Sequence, residues 1–258
     1  MGILNVTPDS FSDGGLHVDA GRAIAAGQRM IADGAAMLDI GGESTRPGAT
    51  PVPPGEEARR ILPVIAGLSG AGVPLSVDTR NAITMAAALD AGATVVNDVS
   101  GLLHDPASLP LVAARGCPVI LMHMRGTPQT MVGLARYGDV TDEVLAELAA
   151  RVVTAEAAGV VRSSVVIDPG IGFAKDAGHS IRLLRDLAAF RTLGCPILVG
   201  VSRKRFVGQL SGVPEAADRL AGSLAAGLFA LSQGASILRV HDVAATVQAV
   251  RVWQGLAG

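Results

Sequence analysis

The chain has 258 residues, 49% of them hydrophobic and 17% charged, with a net charge of −2. That length suits one (β/α)8 barrel, which takes about 250 residues, and the lack of any basic excess excludes a general nucleic-acid binder. The two cysteines, Cys117 and Cys195, share no metal-binding spacing, so no disulfide framework or zinc site is expected and a cytoplasmic location is. Apolar runs with strand character fall at residues 2–6, 37–42, 75–78, 94–98, 119–124, 165–168, 197–201 and 237–240. Between them, alanine- and leucine-rich stretches at 20–33, 56–68, 83–91, 140–158, 181–190 and 214–232 carry helical spacing. Asp139 and Asp176 mark helix starts, where the helix dipole favours acidic groups. Gly34, Gly92, Gly116, Gly159, Gly194 and Gly234 mark helix ends, as left-handed caps prefer.

Strand and helix therefore alternate, and near-continuous apolar strands demand a parallel sheet covered by helices. An open doubly wound sheet would place a glycine-rich phosphate loop at the first βα turn. Here that turn, residues 7–15, is too long and too polar, so the closed TIM barrel is expected, as a single domain over 1–258. The chain enters its first strand at once, with no basic region or cleavage motif, so no targeting segment is expected. Residues 220–238 carry no charge and reach the length of a membrane span. Their serines, glycines and the following Arg239 favour a buried helix, a turn at Gly234 and the eighth strand.

Each apolar strand ends in polar groups, the arrangement that builds an active site at the C-terminal face of a barrel. Asn5 offers a neutral oxygen ligand, and Arg46, Arg239 and His241 offer donors for phosphate oxygens. Arg239 and His241 lie two apart on one strand and so face the same side, and inward-facing basic groups call for an anionic substrate. Magnesium, which keeps several waters and binds largely through substrate phosphates, needs few protein ligands. Asp78, Asn97, Asp168 and Lys204 form a second group, suited to the donor and acceptor edge of a flat heterocycle. A structural ion pair of Lys204 with Asp168 or Asp78 is the plainer alternative. The two long loops, 7–15 with Asp13 and 43–54 with Thr45, Arg46 and Pro47, are expected to close over substrate. Phe173 reads as a packing residue that could also stack on a flat ring. No nucleophile paired with a base is evident.

These segments together resemble the dihydropteroate synthase family, the pterin-binding transferases of folate biosynthesis and the target of sulfonamides. The resemblance is carried by Met1 to Gly15, by Gly41-Gly42-Glu43-Ser44-Thr45-Arg46-Pro47-Gly48, and by Val77-Asp78-Thr79. It continues through Asn97-Asp98-Val99-Ser100-Gly101, Asp168-Pro169-Gly170-Ile171-Gly172-Phe173, Ser202-Arg203-Lys204 and Arg239-Val240-His241-Asp242. It implies a (β/α)8 barrel that joins 6-hydroxymethyl-7,8-dihydropterin pyrophosphate to 4-aminobenzoate. Asp78, Asn97, Asp168 and Lys204 would hold the pterin, with Asp13, Asp78, Asp168 and Lys204 as the catalytic groups. Asn5 would bind Mg2+, and Arg239 and His241 the pyrophosphate. Thr45, Arg46, Pro47 and Ser202 would shape the aminobenzoate site, while Asp13 would help order the closed state. The resemblance also implies a homodimer, for which the uncharged 220–232 helix is the candidate face. Family members carry a short extension before the first strand, which this sequence lacks.

Two rival readings share the barrel. A pterin-dependent methyltransferase would keep the pterin-reading Asp and Asn but would have no use for Arg46, Arg239 and His241. A catalytically silent pterin-binding scaffold would have no use for Asn5, the two loops and Lys204.

Overall fold

The computed structural model describes the backbone of residues 1–7 and 16–257 and the side chains of 1–7 and 20–256. Eight short parallel strands form: β1 Gly2–Asn5, β2 Leu38–Gly41, β3 Leu75–Asp78, β4 Val95–Asp98, β5 Val119–Met122, β6 Val165–Asp168, β7 Leu198–Val199 and β8 Ile237–Leu238. The first six pair in chain order, and β7 pairs with β8. Parallel bridges at Ile167↔Ile197 and Gly2↔Val240 join β6 to β7 and β8 to β1. At the second seam, Ile3 N donates to Val240 O at 2.9 Å and Val240 N to Met1 O at 3.0 Å. Every strand thus has a neighbour on both sides, which is the closed (β/α)8 barrel expected from the alternation.

Nine helices among the described residues surround it: α1 Leu16–Ala32, α2 Pro54–Leu68, α3 Ala82–Asp90, α4 Ser108–Arg115, α5 Val140–Ala157, α6 Ala177–Arg185, α7 Arg205–Ser211, α8 Leu220–Ser232 and α9 Val243–Ala257. The predicted starts are real caps. Asp139 accepts from the amides of Thr141 and Asp142, and Asp176 from that of His179. All six predicted glycine ends adopt positive φ, from 60° at Gly116 to 114° at Gly92. Two predicted helices are shorter than expected. The 181–190 stretch breaks at Asp186 into α6 and a 3-10 turn, Leu187–Leu193. There the Asp186 carboxylate accepts from Thr141 Oγ1 at 2.8 Å and from Arg182, so the side chain is held by two helices at the point where the α-helical ladder stops. The 214–232 stretch begins with the 3-10 turn Ala216–Asp218 before α8. Residues 220–238 form α8, a turn at Gly234 and β8, and no helix among the described residues is long and apolar enough to cross a membrane.

The period of two along each strand sorts the core into two compartments. Val96, Val119, Leu121, Val165, Ile167 and Val199 belong to the main core between sheet and helices. Val95, Ile120 and Leu198, with Met37, Val166 and Ile237, form a separate apolar cluster. Two residues further along the same strands stand Asn97, Met122, Gly200, Asp39, Asp168 and Arg239, so the apolar plug is followed by a polar layer at the C-terminal end of the barrel. Phe190, in the 3-10 turn, is fully buried. Replacing it with alanine is expected to cost about 3–5 kcal/mol, read as a lowered midpoint in urea titration.

Candidate active site

The polar layer opens into a cavity of about 480 Å³ lined by Thr45, Asp78, Asn97, Asp168, Phe173, Ser202, Lys204, Arg239 and His241, along with Ile3, Val99, Met122 and Gly200. Its floor is a charge network. Arg239 Nε donates to Asp39 Oδ2 at 2.6 Å, Arg239 Nη2 to Asp78 Oδ2 at 2.6 Å, and Asn97 Nδ2 to Asp39 Oδ2 at 3.0 Å. Burial pushes the Asp78 carboxyl up to about 7, against the pull of the Arg239 guanidinium. Arg239, despite its own burial, is held more firmly protonated by Asp39 and Asp78. The inward-facing arginine thus has a structural reason within the chain beside the anionic substrate expected from the sequence: two of its nitrogens are already paired. Its Nη1 alone carries no hydrogen bond among the described residues, and the side chain remains 22% exposed.

Asp168 and Lys204 meet at a neighbouring turn. Asp168 Oδ1 accepts from Gly170 N at 2.7 Å. Burial raises the Asp168 carboxyl, and the charge of Lys204 opposes that. Only glycine fits at 170: φ is +68°, and a Cβ there would lie 2.0 Å from the His123 carbonyl oxygen. Lys204 forms no salt bridge with Asp168 or Asp78, so the plainer ion-pair alternative does not hold. Its ammonium donates to the Ile171 carbonyl and sits 4.7 Å from the centre of the Phe173 ring. Burial draws it down to about 8.

At the rim, Ser202 Oγ lies 3.2 Å from the His241 amide, whose hydrogen it accepts, and 3.0 Å from His241 Nδ1. The hydroxyl keeps a proton and a second lone pair, so it can give to or take from Nδ1. Burial, reinforced by Arg203 and Arg239, lowers the imidazole to about 4, so the ring is neutral near pH 7. The charge of Arg46 contributes to that lowering, which places the second loop near this rim. That loop is anchored by Glu43, which accepts from Arg80 Nη2 and Nε at 3.1 and 3.2 Å and from Val52 N at 3.1 Å. Thr45 reaches the cavity, whereas Arg46 and Pro47 are exposed and do not line it. Asn5, half-buried at the mouth end of β1, makes no side-chain hydrogen bond among the described residues. Asp13 lies outside the described residues, as does the rest of the first loop from residue 8 to 15.

A family profile described as pterin binding enzyme matches residues 1–241. A dihydropteroate synthase of Synechocystis is 46% identical over 257 residues, spanning 99% of this chain and 89% of the relative. Xanthomonas albilineans dihydropteroate synthase with 4-aminobenzoic acid superposes with a TM-score of 0.94 at 49% identity, covering 100% of this chain and 92% of that one. The same organism's enzyme in complex with 7,8-dihydropteroate gives 0.91 at 46% identity, covering 100% and 93%. The chain belongs to the dihydropteroate synthase family.

Within this family member, the motifs legible along the sequence converge on one cavity, but three contributors were not singled out from it. Asp39 is the floor's fully buried carboxylate. The only sign of it in the sequence is a charge inside an apolar strand, two residues before Gly41. Arg80 and Lys175 are buried as well, and each closes a motif whose earlier residues drew the attention. The floor network makes a stability prediction. Arg239→Met strands two buried carboxylates, so it is expected to cost about 3–5 kcal/mol. Removing the exposed Arg46 side chain should change unfolding by no more than about 0.5 kcal/mol. Urea titration at pH 7 compares the two.

Proposed function

We propose that this enzyme condenses 6-hydroxymethyl-7,8-dihydropterin pyrophosphate with 4-aminobenzoate to give 7,8-dihydropteroate and pyrophosphate. The observation that carries the reading is the polarity of the cavity. One cavity is lined by a carboxylate, an amide and an ammonium from Asp168, Asn97 and Lys204, and by N–H groups of His241 and Arg239. The first set suits a flat amino-pyrimidinone. The Asp168 carboxylate keeps acceptor capacity beyond Gly170 N, the Asn97 carbonyl is left over once its amide has gone to Asp39, and Lys204 donates. The second set suits a diphosphate, with Arg239 Nη1, Arg46 and the His241 ring as donors. Thr45, Pro47 and Ser202 would border 4-aminobenzoate, and Asp13 would order the first loop over the site. Sulfonamides, being shaped like 4-aminobenzoate, are expected to compete there.

The chemistry needs no protein nucleophile. The bond between the pterin methylene carbon and the pyrophosphate oxygen breaks, leaving a methylene cation that the pterin ring delocalises. Asp78 and Asp168 stabilise that charge in a desolvated site, where fixed charges act strongly. The aniline nitrogen adds to the carbon and then loses one proton, which balances the substitution. His241 and Arg239 meet the growing negative charge on the departing oxygen. Asn5, at the C-terminal end of β1 and with no side-chain hydrogen bond among the described residues, offers an amide oxygen that would hold Mg2+. When bound, Mg2+ supplies further neutralisation of the pyrophosphate.

A homodimer through α8 is part of the same reading: Ala221, Ala225 and Phe229 are exposed at four-residue spacing on that helix, Phe229 by 43%. A monomeric mass at micromolar concentration would refute it. Free, buried Cys117 and Cys195 fit cytoplasmic residence.

The direct test supplies both substrates with and without Mg2+. Mg2+-dependent release of pyrophosphate together with dihydropteroate is expected, and Asp168→Ala should lose most of the rate. Pterin binding with no product would refute the reaction and favour a silent scaffold. Burial places the Lys204 ammonium at about 8, and the charged form is the donor. It is fully present below that pH and lost above it. The KM for the pterin substrate should therefore rise as pH passes through about 8, and Lys204→Met should raise it at pH 7 and flatten that limb.

A further inference from the structure

Next to Asp168 and Phe173 lies a group of ionisable side chains that the reaction leaves unused. Lys175 is only 8% exposed, and its Nζ meets three acceptors: His123 Nδ1 at 2.8 Å, the Phe173 carbonyl at 2.9 Å and the His123 carbonyl at 3.4 Å. Three acceptors match the three N–H bonds of an ammonium. An ammonium has no lone pair, so His123 Nδ1 must accept and the ring hydrogen sits on Nε2, aimed at Glu147 Oε2 3.0 Å away. Burial and the charge of Lys175 lower the His123 imidazole to about 4, which keeps it neutral. Glu147 is held in turn by Arg125, whose guanidinium also reaches Glu143 at 2.8 Å and covers the Tyr137 ring at 4.1 Å.

All of these contacts bear on one segment, residues 168–175. His123 N donates to the Asp168 carbonyl at 2.9 Å, and Gly170 is pressed against the His123 carbonyl. Tyr137 Oη donates to the Ala174 carbonyl at 3.0 Å. The same segment carries the Asp168 carboxylate, the Ile171 carbonyl that receives Lys204, and the Phe173 ring beside it. We propose that Lys175 is a positioning residue for the pterin subsite: its ammonium, pinned on a neutral His123, fixes the turn that aims Asp168, Lys204 and Phe173. The inference rests on reading that subsite as pterin-binding. Burial draws the Lys175 ammonium down to about 7. Asp168 and Glu147 favour the charge, and Lys204 and Arg125 oppose it, so the comparison belongs at pH 6.5.

Product formation by the unaltered protein is measured first and tests the reaction by itself. Lys175→Met and Lys175→Arg are then compared with it at pH 6.5, each substrate varied in turn, and pterin itself is titrated to read affinity without turnover. Misplacing site groups by about 1 Å can cost about a hundredfold. Lys175→Met should raise the KM for dihydropterin pyrophosphate at least about tenfold and weaken pterin to match, with the KM for 4-aminobenzoate unchanged. Lys175→Arg should recover little, because a planar guanidinium cannot reproduce three contacts arranged for an ammonium. An unchanged pterin affinity, or equal losses for both substrates, would overturn the positioning role. Should Lys175→Met fail to fold, the ring-nitrogen NMR spectrum of His123 in the unaltered protein decides. A neutral Nε2–H ring supports the arrangement, and an Nδ1–H ring or an imidazolium overturns it.

Discussion

The guanidinium of Arg239 ties β8 to β2 and β3 through Asp39 and Asp78, and Asn97 brings β4 into the same network through Asp39. This matters most where the backbone does least. β7 and β8 are two residues long, and each seam with the six-stranded sheet rests on one bridge. Side chains inside the barrel therefore connect strands that few main-chain bonds hold. Charges taken out of water gain stability only when they are mutually satisfied, so the floor depends on Arg239: removing it leaves Asp39 and Asp78 buried without their cation.

That constraint also sets what the cavity can do. Its charges are already desolvated and fixed before any substrate arrives, so little reorganisation remains for the reaction itself. Asp78 and Asp168 are both pushed towards protonation by burial and held back by a nearby cation, Arg239 for one and Lys204 for the other. The same opposition keeps Lys204 near the lower end of the lysine range. Carboxylates and cations thus stabilise one another at close range while each keeps an unengaged edge for a ligand. A site of this kind positions and stabilises, in line with the lack of any nucleophile and base pair along the chain.

How much of this was legible depends on distance along the chain. The eight strands and six glycine helix ends were readable because their causes are local: an apolar run, a period, a φ that glycine adopts without strain. The helix breaks at Asp186 and before Leu220 were not, since the first depends on Thr141, contributed by another helix. Helices α4, α7 and α9 escaped for related reasons. Pro110 interrupts the α4 pattern, although a first-turn proline is tolerated, and α7 is barely two turns long. At the site, the polar strand ends announced which residues would gather there. Their pairing was hidden, because Arg239 meets Asp39 across 200 positions and only the register of the closed barrel brings the two together. The inward-facing arginine is legible in the sequence, but its partner on β2 is not.

His123, buried, and His241, half-buried, illustrate how neighbours rather than residue type decide a role. Burial draws both to about 4, so both are neutral near pH 7, and each has its Nδ1 engaged, by Ser202 for His241 and by Lys175 for His123. The Lys175 ammonium has no lone pair, so His123 carries its hydrogen on Nε2 and becomes a directed donor, whereas the Ser202 hydroxyl can give or take. The difference lies in what Nε2 faces. His123 meets Glu147, a carboxylate supplied by α5, and so its donor is consumed in holding a turn. His241 lines the cavity and has no carboxylate hydrogen-bonded to its ring among the described residues, which leaves that side of the ring for a ligand. A positively charged imidazole would attract a diphosphate more strongly but would also be repelled by Arg203 and Arg239. A neutral ring avoids that repulsion, and the Ser202 hydroxyl holds its Nδ1 side in place so that Nε2 meets the ligand.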